Sequence, residues 1–228
     1  SATMFYVGGH EGRCEYFVAG SSLRDCFNAA DVAASGDVIV ASSVWEHVES
    51  TSTASEVDSD GFRALLSMEQ TFRKRSVQRT AIPANVLCNS LRSYTPPALL
   101  AAHDLEVLLG QSLRSWTVSV VQASVVFINL GLTGLMDQLE LDCQRIHKAV
   151  LTVQQVVHAL QGCIHRFTVD DKGCVMKVVF GAQSPHEDQP YRALLAALQL
   201  RHALSMQGIQ PSIGVASGES LIGPVGSA

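Results

Sequence analysis

The sequence predicts an α+β protein whose main unit is β-α-β-β-α-β, an antiparallel sheet with both helices on one face. Three observations predict it. Between Ala123 and Gly181 the apolar pattern changes period twice, from a short β-branched run to a long amphipathic helix and back to two short runs around a tight turn. A second helical stretch follows, with Pro190 in its first turn and Gly208 just past its end. Two last strand-like runs, 210–217 and 220–225, meet at Gly218-Glu219.

Taken in order, the chain begins with strand-like pieces at 4–7 and 15–19, separated by Gly8-Gly9-His10-Glu11-Gly12, which has hairpin chemistry. An Ala-rich helix is expected over 21–34, a turn at Gly36-Asp37 and a strand over 38–40. One helix and three strands leave a sheet face uncovered, so the missing half of this first unit is expected outside the given chain. The run 49–61, ESTSTASEVDSDG, is poor in apolar residues and reads as a linker. Phe62, Leu65, Leu66, Glu69 and Phe72 then follow helical spacing, ending in Arg73-Lys74-Arg75. That basic end reads as the solvated end of a connecting helix, the alternative being a calmodulin or membrane-surface segment.

Thr95-Pro96-Pro97 signals another helix start, continued by Leu99, Leu100, Leu105, Leu108 and Leu109, with Trp116 as a packing residue near the next junction. Val125, Val126, Phe127, Ile128 and Leu130 make a strand buried on both faces. From Asp137 onward, Leu139, Ile146, Ala149, Val150, Val153, Val156, Val157 and Leu160 form an apolar stripe, Arg145, Lys148, Gln155 and His158 lie off it, and Gly162 is placed to end the helix. Cys163 to Val169 and Cys174 to Phe180 flank the turn Asp170-Asp171-Lys172-Gly173. Asp188 is placed to cap the last helix, whose apolar side is expected from Ala193, Leu194, Ala197, Leu198 and Leu204.

The 228 residues, 47% hydrophobic and 16% charged, suit a globular chain with a sizeable core. A net charge of −5 with dispersed basic residues argues against nucleic acid as a partner. The uncharged run 115–136 is long enough for a membrane span, yet Gln122, Asn129 and its Ser, Thr and Gly residues, without basic flanks, read as a strand and its approaches. The six cysteines form no CxxC pair and no zinc-type spacing, so reduced, mostly buried thiols are expected. Without a secretory succession at the N-terminus, cytoplasm is the expected compartment. Gly8, Gly9 and Gly12 lack the Lys-Ser/Thr pair and helix start of a phosphate loop. His147, His158 and His165 share no metal-binding spacing with carboxylates, and Asp137, Glu140 and Asp142 read as charges favouring a helix N-terminus.

The runs VVFINL, FTVDDKGCVMKVVFG and PSIGVASGESLIGPVG, in that order, resemble the first strand, the hairpin and the later strands of a class III nucleotidyl cyclase domain. EYFVAGSSLRDCFNAADVAASGDVIVASSVWEHV is similar to the closing part of a preceding domain, so the nearest likeness is to soluble adenylyl cyclases with two tandem homology domains. The resemblance implies a ferredoxin-like fold, with 1–48 as the C-terminal part of a first domain, 49–117 as an interdomain linker and 118–228 as a second domain. It also implies conversion of ATP, or GTP, to a 3′,5′-cyclic monophosphate and pyrophosphate at the interface of two paired domains. Two aspartates of one half would hold two Mg²⁺ or Mn²⁺ ions, which activate the ribose 3′-hydroxyl and neutralise the phosphates. The other half recognises the base and supplies an Asn/Arg pair.

On this resemblance Asn129 and Cys174 stand where a metal-binding half has its aspartates. Neither offers the anionic oxygen that Mg²⁺ prefers, so the metal ligands are expected outside this chain. The family's base-contacting lysine corresponds to Arg166, and Lys172 is a second nucleotide-binding candidate at the hairpin; the alternative for both is an exposed charge at a strand end or turn. The Asn/Arg pair would lie beyond Ala228, and Phe27 stands where soluble cyclases carry a bicarbonate-binding arginine. Two functions are therefore expected: a part of a cyclase that makes cyclic AMP when completed, or a catalytically silent scaffold or nucleotide sensor in a larger assembly. The isolated chain is expected to be inactive, and the resemblance implies cytosol or cilium as location.

Overall fold

The computed structural model describes residues 2–69, 91–95, 100, 104, 119–132, 139–170, 173–182 and 186–222 of an α+β chain that gathers into two compact units. The first comprises Ser1–Thr3 and Val18–Ile82, the second Met4–Phe17 and Pro83–Ala228.

The second unit opens with the greater part of strands β1 (Thr3–Gly8) and β2 (Cys14–Ala19), paired around a 3-10 turn at His10–Gly12. After them come β6 (Ser119–Asn129), α3 (Leu139–Ala159), β7 (Cys163–Asp170), β8 (Gly173–Phe180), α4 (Gln189–Ser205) and β9 (Ser212–Ile222). The elements of residues 21–68, which come between β2 and β6 in the chain, belong to the first unit. The four strands stand in the order β7-β8-β6-β9, every neighbour antiparallel, and α3 and α4 pack on one another and on this sheet.

The alternation along β6 and β8 decides what is buried. Val126 and Ile128, with Leu130 just beyond, and Met176, Val178 and Phe180 are sealed between sheet and helices. From α3 come Ile146, Ala149, Val150, Val153 and Val157, the expected stripe, and from α4 Leu200 and Leu204. Each large aliphatic side chain buried this way contributes about 1.5–3 kcal/mol. The other sheet face carries Phe127, which is 43% exposed, and Lys177. The central strand is thus buried on one face only, not on both.

Helix α3 ends in a Schellman turn, but its left-handed residue is Gln161 (φ 59) rather than a glycine. The Gly162 amide donates to the Val157 carbonyl at 2.9 Å and the Gln161 amide to the His158 carbonyl at 3.0 Å. Gly162 is needed one position later for a different reason: a Cβ there would stand 2.6 Å from Cε1 of the Phe180 ring. Arg192 of α4 holds the strained residue, donating to Gln161 Oε1 at 2.7 Å.

In the first unit α1 (Ser21–Val32) precedes β3 (Ile39–Ala41), α2 (Ser42–Val48), β4 (Ser52–Ala54) and β5 (Phe62–Met68). The strands form an antiparallel sheet in the order β3-β5-β4, with Ile39 opposite Ala64 and Ser52 opposite Met68. The helix expected from Phe62 is therefore a strand, and the run expected as linker contains β4. Phe62, Leu65 and Leu66 fit helical spacing over so short a window, but pairing on both sides wins. Asp58 shapes the tight turn before β5, its Oδ1 accepting the amides of Asp60 and Phe62 at 3.0 and 2.7 Å. Arg73-Lys74-Arg75, Pro96-Pro97, the leucines at 99, 105, 108 and 109, Trp116, Asp137 and Lys172 lie outside the described residues.

Three further expectations are corrected. Gly218 and Glu219 do not turn: β9 runs unbroken, with Gly218 opposite Ala123 and Glu219 opposite Gln122. Leu194 and Leu198 are half exposed, because Ala193, Ala196, Ala197, Leu200 and Leu204 form the i, i+3, i+4 stripe that small side chains let approach the sheet. Asp188 makes no side-chain cap; its carboxylate instead accepts from Arg192 Nε at 2.7 Å, which holds its pKa below the usual value.

Candidate functional site

Strand β7 carries a bulge, the register slipping between Ile164 and Arg166 so that His165 is passed over in the pairing with β8. Ile164 pairs with Val178 and Phe167 with Met176, both on the helix-covered face. Strict alternation from Ile164 would send residue 166 to that same buried face. The extra residue turns Arg166 outward instead, where it is exposed and directly opposite Lys177.

Lys177 is in turn paired with Phe127, and Phe127 with Gly214 of β9. One row across the open face therefore reads Arg166, Lys177, Phe127, Gly214. Two cations side by side repel, a small cost in folding. An anion lying over them removes that cost, a half-exposed ring offers a base a surface to stack on, and the missing side chain at 214 leaves room. Of the two nucleotide-binding candidates, Arg166 belongs to this row.

The two positions that the resemblance aligns with metal aspartates are otherwise engaged. Asn129 Oδ1 accepts the Gly131 amide at 2.9 Å, closing the turn after β6. Cys174 is fully buried and its thiol is pushed up to about 12, by burial first and by Asp170 second. Its side chain belongs to the core, not to the open face. Phe27 is half buried on α1.

A second concentration of polar groups lies in the same unit, at a cleft of about 330 Å³ between the β1–β2 turn and the end of α3. Gln154 of α3 is 4% exposed and holds the turn by its backbone: Oε1 accepts the amides of Gly9 and His10, both at 3.1 Å, and Nε2 donates to the Arg13 carbonyl at 2.9 Å. Gly8 (φ +86) is obligatory here, since a Cβ would come within 2.6 Å of that carboxamide. Arg13 pairs through Nε with Glu15 at 2.9 Å, while burial, outweighing Arg13, keeps the Glu15 pKa raised. The turn so held places His10 and Glu11 beside His158. Spacing along α3 marks His158 as a surface residue; its neighbours come from a hairpin 144 residues away from Gln154, which no local pattern signals. His147 and His165 are exposed and stand apart from this group.

No protein-family model matches the chain, and no curated protein matches it. Among solved structures it is similar to a bacterial light-regulated adenylyl cyclase at 16% identity and a TM-score of 0.48, over 63% of this chain and 43% of that one. A second structure of a bacterial light-regulated adenylyl cyclase has 14% identity and the same TM-score and coverage. The chain spans less than half the length of these cyclases. Among the described residues, no helix is long and apolar enough to cross a membrane.

Proposed function

We propose that residues 118–228 form the non-metal, base-recognising half of a class III cyclase in a ferredoxin-like arrangement, most similar to the soluble adenylyl type. The single observation that carries this reading is the bulge that turns Arg166 onto the open sheet face beside Lys177. Arg166 donates to the edge of the base, Phe127 lies against it, and Lys172 adds a positive charge at the hairpin. A complementary half supplies the carboxylates for Mg²⁺ or Mn²⁺, and the paired halves convert ATP to cyclic AMP and pyrophosphate. Asn129 and Cys174 support this division, since one is committed to a backbone turn and the other to the core. The preference of ATP over GTP rests on the sequence resemblance alone.

The test is cyclic nucleotide formation with Mn²⁺ and either ATP or GTP. The 228-residue chain alone is expected to form none. Combined with a metal-binding half it is expected to turn over ATP, and Arg166→Ala should lower activity at least tenfold, mainly through KM. Metal-dependent turnover by the chain alone would overturn the assignment of halves. A folded, paired protein that binds ATP without turnover would support the silent nucleotide-sensing module, with a scaffold role in a larger assembly.

A further inference from the structure

The cleft at the β1–β2 turn is remote in chemistry from the nucleotide face and is built from different residues. His10, Glu11 and His158 each present one ligand atom, and these atoms all lie within 4.8 Å of one another. The rings of His10 and His158 meet edge to face, 5.4 Å between centroids. Two imidazoles and a carboxylate form a donor set suited to Zn²⁺ and its neighbours, whereas Mg²⁺ and Ca²⁺ require oxygen shells.

Two independent features support a ligand here. The first is rigidity: the His10 backbone is fixed by its bond to the buried Gln154, so one ligand is held before any ion arrives. The second is strain. Glu11 lines this cleft with a left-handed backbone (φ 50), whereas Gln161 (φ 59), which also lines it, owes that conformation to the turn that ends α3. A non-glycine residue in that region costs about 1–2 kcal/mol, and such residues cluster where a ligand is clamped.

We propose that His10, Glu11 and His158 bind one divalent transition-metal ion, Zn²⁺ in the first instance, and that the ion ties the β1–β2 turn to the C-terminal end of α3. A tetrahedral ion with bonds of about 2.1 Å needs ligand atoms roughly 3.4 Å apart. Glu11 and His158 are exposed and move inward by about an ångström through side-chain rotation to meet it. Three protein ligands leave a fourth position for water or an anion. Arg13 lines the same cleft, and its Nη1 is buried with no hydrogen-bond partner among the described residues, which makes an anionic fourth ligand the favoured one.

The experiment titrates the full 228-residue chain with Zn²⁺ against a chromogenic chelator, in parallel with His158→Gln and Glu11→Gln. Both positions are exposed, so both variants keep the fold, verified by their metal-free circular dichroism. One Zn²⁺ per chain is expected, with affinity falling at least ~10-fold in each variant, since even the outer partners of metal ligands act on that scale. Melting of the wild-type chain should rise with Zn²⁺ but not with Mg²⁺. Co²⁺ substitution should give a visible d–d spectrum without a thiolate charge-transfer band. Equal binding by the wild type and both variants, a thiolate band, which would assign the ion to cysteines, or no binding at all would each overturn the proposal.

Discussion

Gly162 lies against Phe180 so closely that a methyl group on its Cα would stand 2.6 Å from the ring edge. The helix end and the last residue of β8 are thereby fitted to one another at a buried point, since Phe180 is 1% exposed. Gly162→Ala should destabilise the second unit by about 1–3 kcal/mol, the scale of overpacking. Phe180→Leu in the same chain should recover part of that loss. Urea denaturation of the single and double variants checks it, and strictly additive losses would mean that the ring is not the obstacle.

Gln154→Leu keeps the volume and removes the carboxamide. The His10 amide loses its partner, while the Gly9 amide and the Arg13 carbonyl keep one another at 2.7 Å, and a loss of about 1–3 kcal/mol is expected. Hydrogen exchange at the His10 amide should accelerate more than at the amides of β6. Uniform acceleration throughout the unit would show that Gln154 acts on the global fold and not on the turn.

Lys177→Thr should raise stability by about 0.2–1 kcal/mol, because it removes a like charge directly across from Arg166. If the proposed nucleotide face is correct, the same change should also weaken ATP binding. A variant more stable and equally good at binding would remove Lys177 from the proposed nucleotide face.

Among the described cysteines, Cys26 is exposed while Cys163 and Cys174 are buried with raised pKa, burial being the first cause for both. At pH 8 the Cys174 thiolate fraction is on the order of 10⁻⁴ for a thiol at about 12. Iodoacetamide should label Cys26 first and spare Cys163 and Cys174 until the chain unfolds, as read by peptide mass spectrometry. Early labelling of Cys174 would contradict its place in the core.

The raised pKa of Glu15 has a consequence with a definite sign. The folded chain holds this proton more tightly than the unfolded one, so the contribution favours folding at low pH and is lost as pH rises from about 4.5 through the folded value. Glu15→Gln should flatten the stability profile over that acid window. The slope is the readout, since the variant also turns the Arg13–Glu15 ion pair into a neutral-acceptor hydrogen bond. An unchanged slope would mean that Arg13 compensates the burial fully.

How far the sequence was legible depends on the range over which each feature is encoded. The α3 stripe and the β7–β8 hairpin are periodic over one element and stand where periodicity puts them. Strand β5 was not legible: Phe62, Leu65 and Leu66 satisfy three-and-four spacing as readily as alternation in so few residues, and only β3 and β4 on either side decide. Gly218 suggests a turn locally, yet the long β6 partner keeps it extended. The outward turn of Arg166 depends on a one-residue slip at His165, invisible to composition. The group formed by His10, Glu11 and His158 depends on where a hairpin docks, which no local pattern carries.

The bond from Gln154 to the Gly9 amide closes 145 residues of chain. On the ribosome the β1–β2 hairpin is complete first, and the carboxamide that binds its turn emerges 145 residues after Gly9. Until then the hairpin has no partner in α3, and the entropy of closing so long a loop is met by contacts that do not yet exist. The N-terminal residues of the second unit are therefore expected to be among the last to settle, and the most open to chaperone capture while synthesis continues.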